Sequence, residues 1–110
     1  MAQTPRMARI EALLAEDPDD AFLRYGLAME HASAGDDAQC VVVLQDLIAR
    51  STSSPYVPAF LQAGQALVRL DRIKEACSVL QDGIAVSGRL RTPEALHAQG
   101  EMQGLLGSIE

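Results

Sequence analysis

The amino-acid sequence predicts an all-α protein, folded as a right-handed solenoid of helical hairpins with about six antiparallel helices. Three observations lead to this prediction. The chain has 110 residues and is 48% hydrophobic, yet it contains only two Phe, two Tyr and no Trp, so its core must be aliphatic and rich in alanine. Apolar residues recur at steps of three and four, which is the spacing of one helix face. One apolar pattern also occurs twice, 36 positions apart, as expected of stacked repeats.

The first predicted helix begins at Thr4, an N-cap residue that Pro5 follows in the first turn. It ends before the Asp17-Pro18 pair. Its apolar residues lie at helical spacing: Met7, Ile10, Leu13 and Leu14. The last three match apolar residues 34 positions later. We therefore interpret this helix as the second member of a hairpin whose first member is missing.

The next two helices form the first complete hairpin. Asp19 or Asp20 caps the first of them, which should stop near Gly35. We expect its core-facing residues to be Phe22, Leu23, Leu27 and Ala28, with Met29 as a further candidate. The second helix follows Gly35-Asp36-Asp37, and its apolar residues are Cys40, Leu44, Leu47 and Ile48.

A turn-rich segment from Ser51 to Pro55 separates this hairpin from the second one. The first helix of the second hairpin tolerates Pro58, because first-turn amides have no partner inside the helix. Its second helix should run from Ile73 to about Ser87 and end with a C-cap at Gly88, which leaves Arg89 to Arg91 as a connector. Its apolar pattern repeats that of the first hairpin: Ala76, Leu80, Gly83 and Ile84.

The last predicted helix begins at Thr92-Pro93-Glu94, again an N-cap, a proline and a first-turn acid. Its apolar stripe consists of Ala95, Ala98, Met102, Leu105 and Ile109. We interpret the stripe as a cap over the end of the solenoid; the alternative is a homodimer seam. The chain is thus predicted to be one domain, 1–110, with a leading half repeat (3–18), two repeats (19–52 and 57–88) and a capping helix (92–109).

Residues 57–84 carry a recognisable repeat pattern. It comprises Phe60, Ala63, Gly64, Leu67, Ala76 and Leu80, in the order and spacing of a tetratricopeptide repeat. The first hairpin matches less closely, with Arg24, Leu27, Ala28 and His31 at the corresponding positions. The chain resembles a small stand-alone bacterial tetratricopeptide repeat protein. This resemblance implies a protein-interaction adaptor rather than an enzyme.

The resemblance also implies where a partner would bind, since the first helices of such hairpins line a concave groove. The groove residues are Tyr25, Met29, Ser33, Leu61, Gln65, Val68 and Arg69. Exposed apolar groups in such a groove favour a partner's amphipathic helix or an extended peptide. Two alternatives stay open: the last helix fills the groove, or the groove or last helix forms a homodimer.

One class of partner within this family is not expected. Members that hold the C-terminal carboxylate of a heat-shock chaperone use a clamp of Lys, Asn and Arg. Here Tyr25, Met29 and Gln62 occupy clamp positions. A chaperone tail is therefore an unsuitable ligand.

Charge and hydropathy exclude two further kinds of partner. Nine Lys and Arg against fifteen Asp and Glu give a net charge of −6, so the positive field that nucleic acid requires is absent. The sequence contains no apolar run long enough for a membrane span and no apolar segment typical of an export signal near Met1. We therefore expect neither a nucleic-acid partner nor a membrane partner, and a cytoplasmic location.

No residue pattern predicts catalysis, a metal site or a cofactor. His31 and His97 lack metal-ligand spacing, and no strand precedes Gly100, Gly104 and Gly107 as a phosphate loop would require. We attribute these glycines to close helix contact or fraying. Cys40 and Cys77 are expected to be free thiols, Cys40 packed in the core and Cys77 partly exposed. A thiol-based redox sensor is therefore a third hypothesis.

Overall fold

The computed structural model describes residues 3–110, and these residues form six α-helices. Their bounds are Pro5–Glu16 (α1), Ala21–Ser33 (α2), Asp37–Arg50 (α3), Val57–Arg69 (α4), Ile73–Leu90 (α5) and Pro93–Ile109 (α6). Residues 3–110 contain no strand, so the prediction of an all-α fold with six helices is confirmed. Each helix except α5 lies within one of the predicted ranges 3–18, 19–52, 57–88 and 92–109. The division of the chain into repeats stays a prediction.

Side-chain caps fix four of the six helix starts. The capping residues are Thr4, Asp20, Asp36 and Thr92. In each case a side-chain oxygen accepts a hydrogen bond of 3.0–3.1 Å from the backbone N–H three residues further on, which satisfies a donor that the helix itself cannot pair. The predicted starts at Thr4-Pro5 and Thr92-Pro93 are confirmed, and of the two candidates for α2 the cap is Asp20.

The predicted end of α5 at Gly88 is wrong. The helix continues to Leu90, and the residue that ends it is Arg91, with a left-handed φ of 56°. Gly88 instead allows α6 to approach closely, since a Cβ at this position would lie 3.1 Å from Nε2 of Gln99. That same nitrogen donates a hydrogen bond to the Ile84 carbonyl. Contact with α6 therefore extends α5 past the residue that local sequence favours as its end.

The helices stack in chain order, so that α4 packs between α3 and α5, and α6 packs on α5 and on α4. One core cluster joins α2 to α5 around Leu44, Leu47 and Leu67. A second joins α4, α5 and α6 around Leu80 and Met102. A smaller cluster holds α1 on α2. We call α2 and α4, the first helices of the two hairpins, the A helices, and α3 and α5 the B helices.

The predicted stripe of α6 faces this core. Ala95, Ala98 and Met102 are 2%, 9% and 0% exposed, so the chain itself occupies the stripe. The alternative of a homodimer seam through these residues is therefore wrong, and the stripe caps the core as the first interpretation proposed. The glycines of α6 lie on other faces: a Cβ at Gly100, Gly104 or Gly107 would meet no atom within 4 Å. They serve neither close helix contact within the chain nor fraying, since the helix runs to Ile109.

The expectation that Phe22 points into the core is also wrong. Its exposed fraction is 72%, whereas Leu27 and Ala28 of the same helix are buried at 9% and 0%. A helix turns about 100° per residue, so Phe22 lies almost directly beneath Met29, seven residues later, and away from Ala28. Phe22 therefore belongs to the outer face of α2.

Candidate functional site

The three predicted groove residues of α2 are only partly accessible. Tyr25 and Met29 are half-buried and pack against the larger core cluster, while Ser33 is exposed. The Tyr25 ring lies 5.3 Å from the ring of Tyr56, with an angle of 47° between the two planes. Because Tyr56 caps α4, this aromatic pair connects the two A helices at their N-terminal ends.

Both phenols of this pair are neutral at physiological pH. Burial raises the pKa of Tyr25 above its usual value, and nearby Tyr56 adds to the effect. A hydrogen bond with the Gln62 side chain partly offsets these effects, because it lowers the pKa of Tyr25. Burial also raises the pKa of Tyr56. The pair can therefore offer a bound segment apolar ring surface and hydroxyl groups, but no negative charge.

Leu61 does not line an open groove, contrary to the expectation from the sequence. Its exposed fraction is 8%, and it belongs to one apolar cluster with Ala95, Ala98 and Met102 of α6. Leu61 is buried because α6 packs across that part of α4. The alternative in which the last helix fills the groove therefore holds at Leu61.

The other predicted residues of α4 lie at the C-terminal half of the helix. Gln65 and Val68 are half-buried, and Val68 packs against the larger core cluster. Arg69 is exposed, and its Nε and Nη2 donate to Oδ1 of Asp37 at 3.0 and 2.9 Å. Hydrogen bonding to Asp37 raises the pKa of Arg69 above its usual value. A partner carboxylate would therefore have to compete with Asp37 for the guanidinium.

Phe22 is the functional candidate that the sequence reasoning missed. It has the highest exposed fraction of the large apolar residues that protrude from the surface, above Val42 at 56%. It lies on the outer face of α2 with Met29, and Tyr25 is one turn away. The signal was present in the sequence, because the seven-residue spacing from Phe22 to Met29 places both on one helix face. Its apolar side chain alone favours a core position.

A cleft of about 310 Å³ lies beside the tyrosine pair, at the N-terminal ends of α4 and α6. Tyr56 forms part of its wall, together with Pro58, Leu90 and Ala98. Leu90 is 42% exposed there. Tyr56 therefore joins two surfaces, the outer face of α2 and this cleft. We call the strip that contains Phe22, Tyr25, Met29 and Tyr56 the aromatic face.

A second cleft, of about 270 Å³, is lined by residues of the two B helices and by Phe60 of α4. Ile48, Phe60 and Val79 form its apolar floor, and Glu75 and Asp82 stand at its edge. None of the predicted groove residues lines it. No large apolar side chain at this cleft protrudes as Phe22 does.

The thiols and histidines form no reactive group with one another in the structure. Cys40 is fully buried and burial raises its pKa to about 11, while Cys77 is half-buried. His97 is exposed and lies 3.3 Å from a carboxylate oxygen of Glu101. Within residues 3–110 no three His, Cys, Asp or Glu side chains are grouped closely enough to hold a metal ion. No helix in that range combines the length and hydropathy needed to cross a membrane.

Solved structures similar to this chain include a solution NMR structure and a crystal structure, both of a tetratricopeptide repeat domain protein from Salinibacter ruber. The solution NMR structure is 27% identical, with a TM-score of 0.74 over 84% of this chain and 89% of its own. The crystal structure is 25% identical, with a TM-score of 0.70 over 83% of this chain and 99% of its own. No protein-family model matches the sequence. No curated protein matches it significantly.

Proposed function

We propose that this chain, which has the tetratricopeptide repeat fold, is a non-catalytic adaptor that binds a segment of another protein on its aromatic face. Helical repeat modules of this fold are commonly used for protein–protein interaction. The observation that supports the site is Phe22, a residue whose exposed fraction is 72%, on the same helix face as half-buried Tyr25 and Met29. Aromatic side chains at the centre of a contact surface contribute a large share of binding energy.

The chemistry of the face suggests the kind of segment that binds. Phe22 and Met29 provide apolar surface one above the other along α2, which suits the apolar stripe of an amphipathic helix or alternate side chains of an extended peptide. Ser33 and Gln65 offer hydrogen bonds at the edge. The net charge of −6 favours a segment flanked by Lys or Arg, because opposite charge speeds encounter. The predicted groove thus remains part of the proposal, without Leu61.

The experiment compares two substitutions of exposed apolar residues. Phe22→Asp alters the aromatic face, and Val42→Asp alters a position on α3 that is 56% exposed and outside it. Each purified variant is first checked for a cooperative thermal transition, and then used to capture proteins from a lysate of the source organism. We expect wild type and Val42→Asp to retain the same partner and Phe22→Asp to lose it.

The captured partner is then purified and titrated against each protein by calorimetry. Loss of a central aromatic anchor should weaken binding by at least about 10-fold, because hot-spot residues contribute about 2 kcal/mol or more. If Phe22→Asp binds as tightly as wild type, the aromatic face is not the binding surface. Equal loss in both variants would point to a different surface or to a general defect.

The adaptor proposal includes a cytoplasmic, non-catalytic role. Two unpaired thiols, Cys40 and Cys77, suit a reducing compartment. The thiol-sensor hypothesis is less well supported, because burial raises the pKa of Cys40 to about 11 and reactive thiols have a lowered pKa.

A further inference from the structure

The outer face of α6 repeats a feature of α4. A shift of 36 residues places Leu96 and Gly100 of α6 on Phe60 and Gly64 of α4. In α4 this face receives α5: a Cβ on Gly64 would lie 2.5 Å from Cδ2 of Leu80, so the missing side chain makes room for that leucine. In α6 the same face is uncovered. Leu96 is 40% exposed, and a Cβ on Gly100 would meet no atom within 4 Å.

The helix α1 resembles a B helix that has no A helix of its own beside it. It buries Met7 and Leu14 against α2 in the way a B helix packs on the next A helix. Its Leu13 matches Leu47 of α3, 34 residues later. Leu47 is 1% exposed, because α3 lies between two A helices, whereas Leu13 is 45% exposed. The side of α1 where its own A helix would lie is therefore uncovered.

We propose that α1 of a second copy of this chain docks on the outer face of α6, in the arrangement that α3 has on α2. In that hairpin Arg24 and Leu47 stand at the positions of Leu96 and Leu13, by shifts of 72 and 34 residues. Leu47 is 1% exposed there, whereas Leu96 and Leu13 are 40% and 45% exposed, so docking would bury both leucines. Gly100 has no side chain that would keep the second helix at a distance.

Charge favours this pairing over contact between two α6 helices. From Thr92 to Glu110 the chain carries three glutamates and neither Lys nor Arg. Arg6 and Arg9 of α1 are exposed. Arg6 forms an ion pair with Glu30, and 72% of its side chain remains accessible to solvent. Two acidic α6 helices would repel each other. α1 carries Glu11 and Glu16 besides its two arginines and has no net charge, so its docking on α6 meets no such repulsion. One helix docked on another buries less surface than a standard interface, so we expect weak association.

The contact is head-to-tail, since it joins different surfaces of the two copies. Each added copy presents a new free α6, so the assembly does not stop at a dimer unless a ring closes. This proposal is independent of the aromatic face, because Phe22 does not take part in it. The Phe22→Asp variant should therefore self-associate as the wild type does.

Sedimentation velocity and equilibrium, from about 10 µM to about 1 mM, test the proposal. The wild-type mass should rise with concentration past that of a dimer. Leu13→Glu and Leu96→Glu each remove one of the two surfaces, so each alone should remain monomeric. An equimolar mixture of the two still has one intact α1 face and one intact α6 face. It should form a heterodimer that grows no further.

Several outcomes would overturn the proposal. Wild-type protein that stays monomeric to about 1 mM has no such contact. A dimer that Leu96→Glu abolishes but Leu13→Glu leaves intact would be a symmetric α6 pair, and in the mixture only the Leu13→Glu copies would then associate, with one another. Val42→Glu is the control for added charge and should behave as wild type. Gly100→Leu is a second probe: its side chain meets nothing within one copy, so it should fold normally yet weaken association at least about 10-fold.

Discussion

Gly83 of α5 and Phe60 of α4 are in such close contact that a Cβ on residue 83 would lie 2.6 Å from the Cβ of Phe60. The same Cβ would lie 2.5 Å from Sδ of Met102 in α6. Three helices thus meet at a position that has no side chain. Phe60 and Met102 are 6% and 0% exposed, so both side chains are held in the core by neighbouring residues. The spacing of α4, α5 and α6 therefore depends on this glycine.

The first prediction is that Gly83→Ala destabilises the protein by about 1–3 kcal/mol, the usual cost of an added methyl group in a full core. Helix propensity alone would favour alanine by about 1 kcal/mol, so the two effects have opposite signs. The matched control is Gly104→Ala in α6, where a Cβ meets nothing and we expect stabilisation of about 0.5–1 kcal/mol. Urea unfolding measures both. Equal stabilisation by the two substitutions would show that the contact at Gly83 is loose.

The second prediction concerns Leu61, which the sequence placed in an open groove. Because it is buried under α6, Leu61→Ala should lower the free energy of unfolding by about 2–4 kcal/mol. Phe22→Ala, at a residue that is 72% exposed, should change it by no more than about 0.5 kcal/mol. Thermal and urea unfolding distinguish the two. A Leu61→Ala variant as stable as Phe22→Ala would mean that α6 leaves the groove open in solution.

The third prediction follows from the pKa of Cys40, which burial raises to about 11 in the folded protein from 9.0 for a free thiol. Between these values the folded chain keeps a proton that the unfolded chain loses. The contribution to stability is therefore complete below about pH 9 and is lost as the pH rises through 11, by about 1–3 kcal/mol. Cys40→Ala should remove this part of the pH dependence. Urea unfolding at pH 8 to 11 measures it, and equal slopes in both proteins would contradict the prediction.

The helix starts could be predicted from the sequence because each depends on a few adjacent residues. Thr4 and Thr92 accept hydrogen bonds from amides only three residues away, so local spacing was sufficient to predict these caps. At α2 it left Asp19 and Asp20 as alternatives, and Asp20 is the cap. The end of α5 could not be predicted in that way. Gly88 is compatible both with a C-cap and with close packing, and the choice depends on Gln99 of another helix.

The candidate site was only partly predictable for a related reason. Helix phase placed Tyr25 and Met29 together on the outer side of α2, and the same reasoning applied to Phe22 would have found the most exposed member of the face. The burial of Leu61 required knowledge of where α6 lies, and the pairing of Tyr25 with Tyr56 depends on the course of the loop before α4. Such long-range contacts leave no periodic signal in the sequence.

The stacking of the helices in chain order bears on how the molecule folds. The main helix contacts join neighbours along the chain, and the most distant of them, between α4 and α6, spans only one intervening helix. Chains with such local contacts fold fast, because little loop entropy is lost before each contact forms. Unfolding can also be local, because α1 packs chiefly on α2. It can detach while the α4, α5 and α6 helices remain packed together. The two ends of the helix stack therefore differ in how readily they unfold, and α1 is expected to unfold before α6.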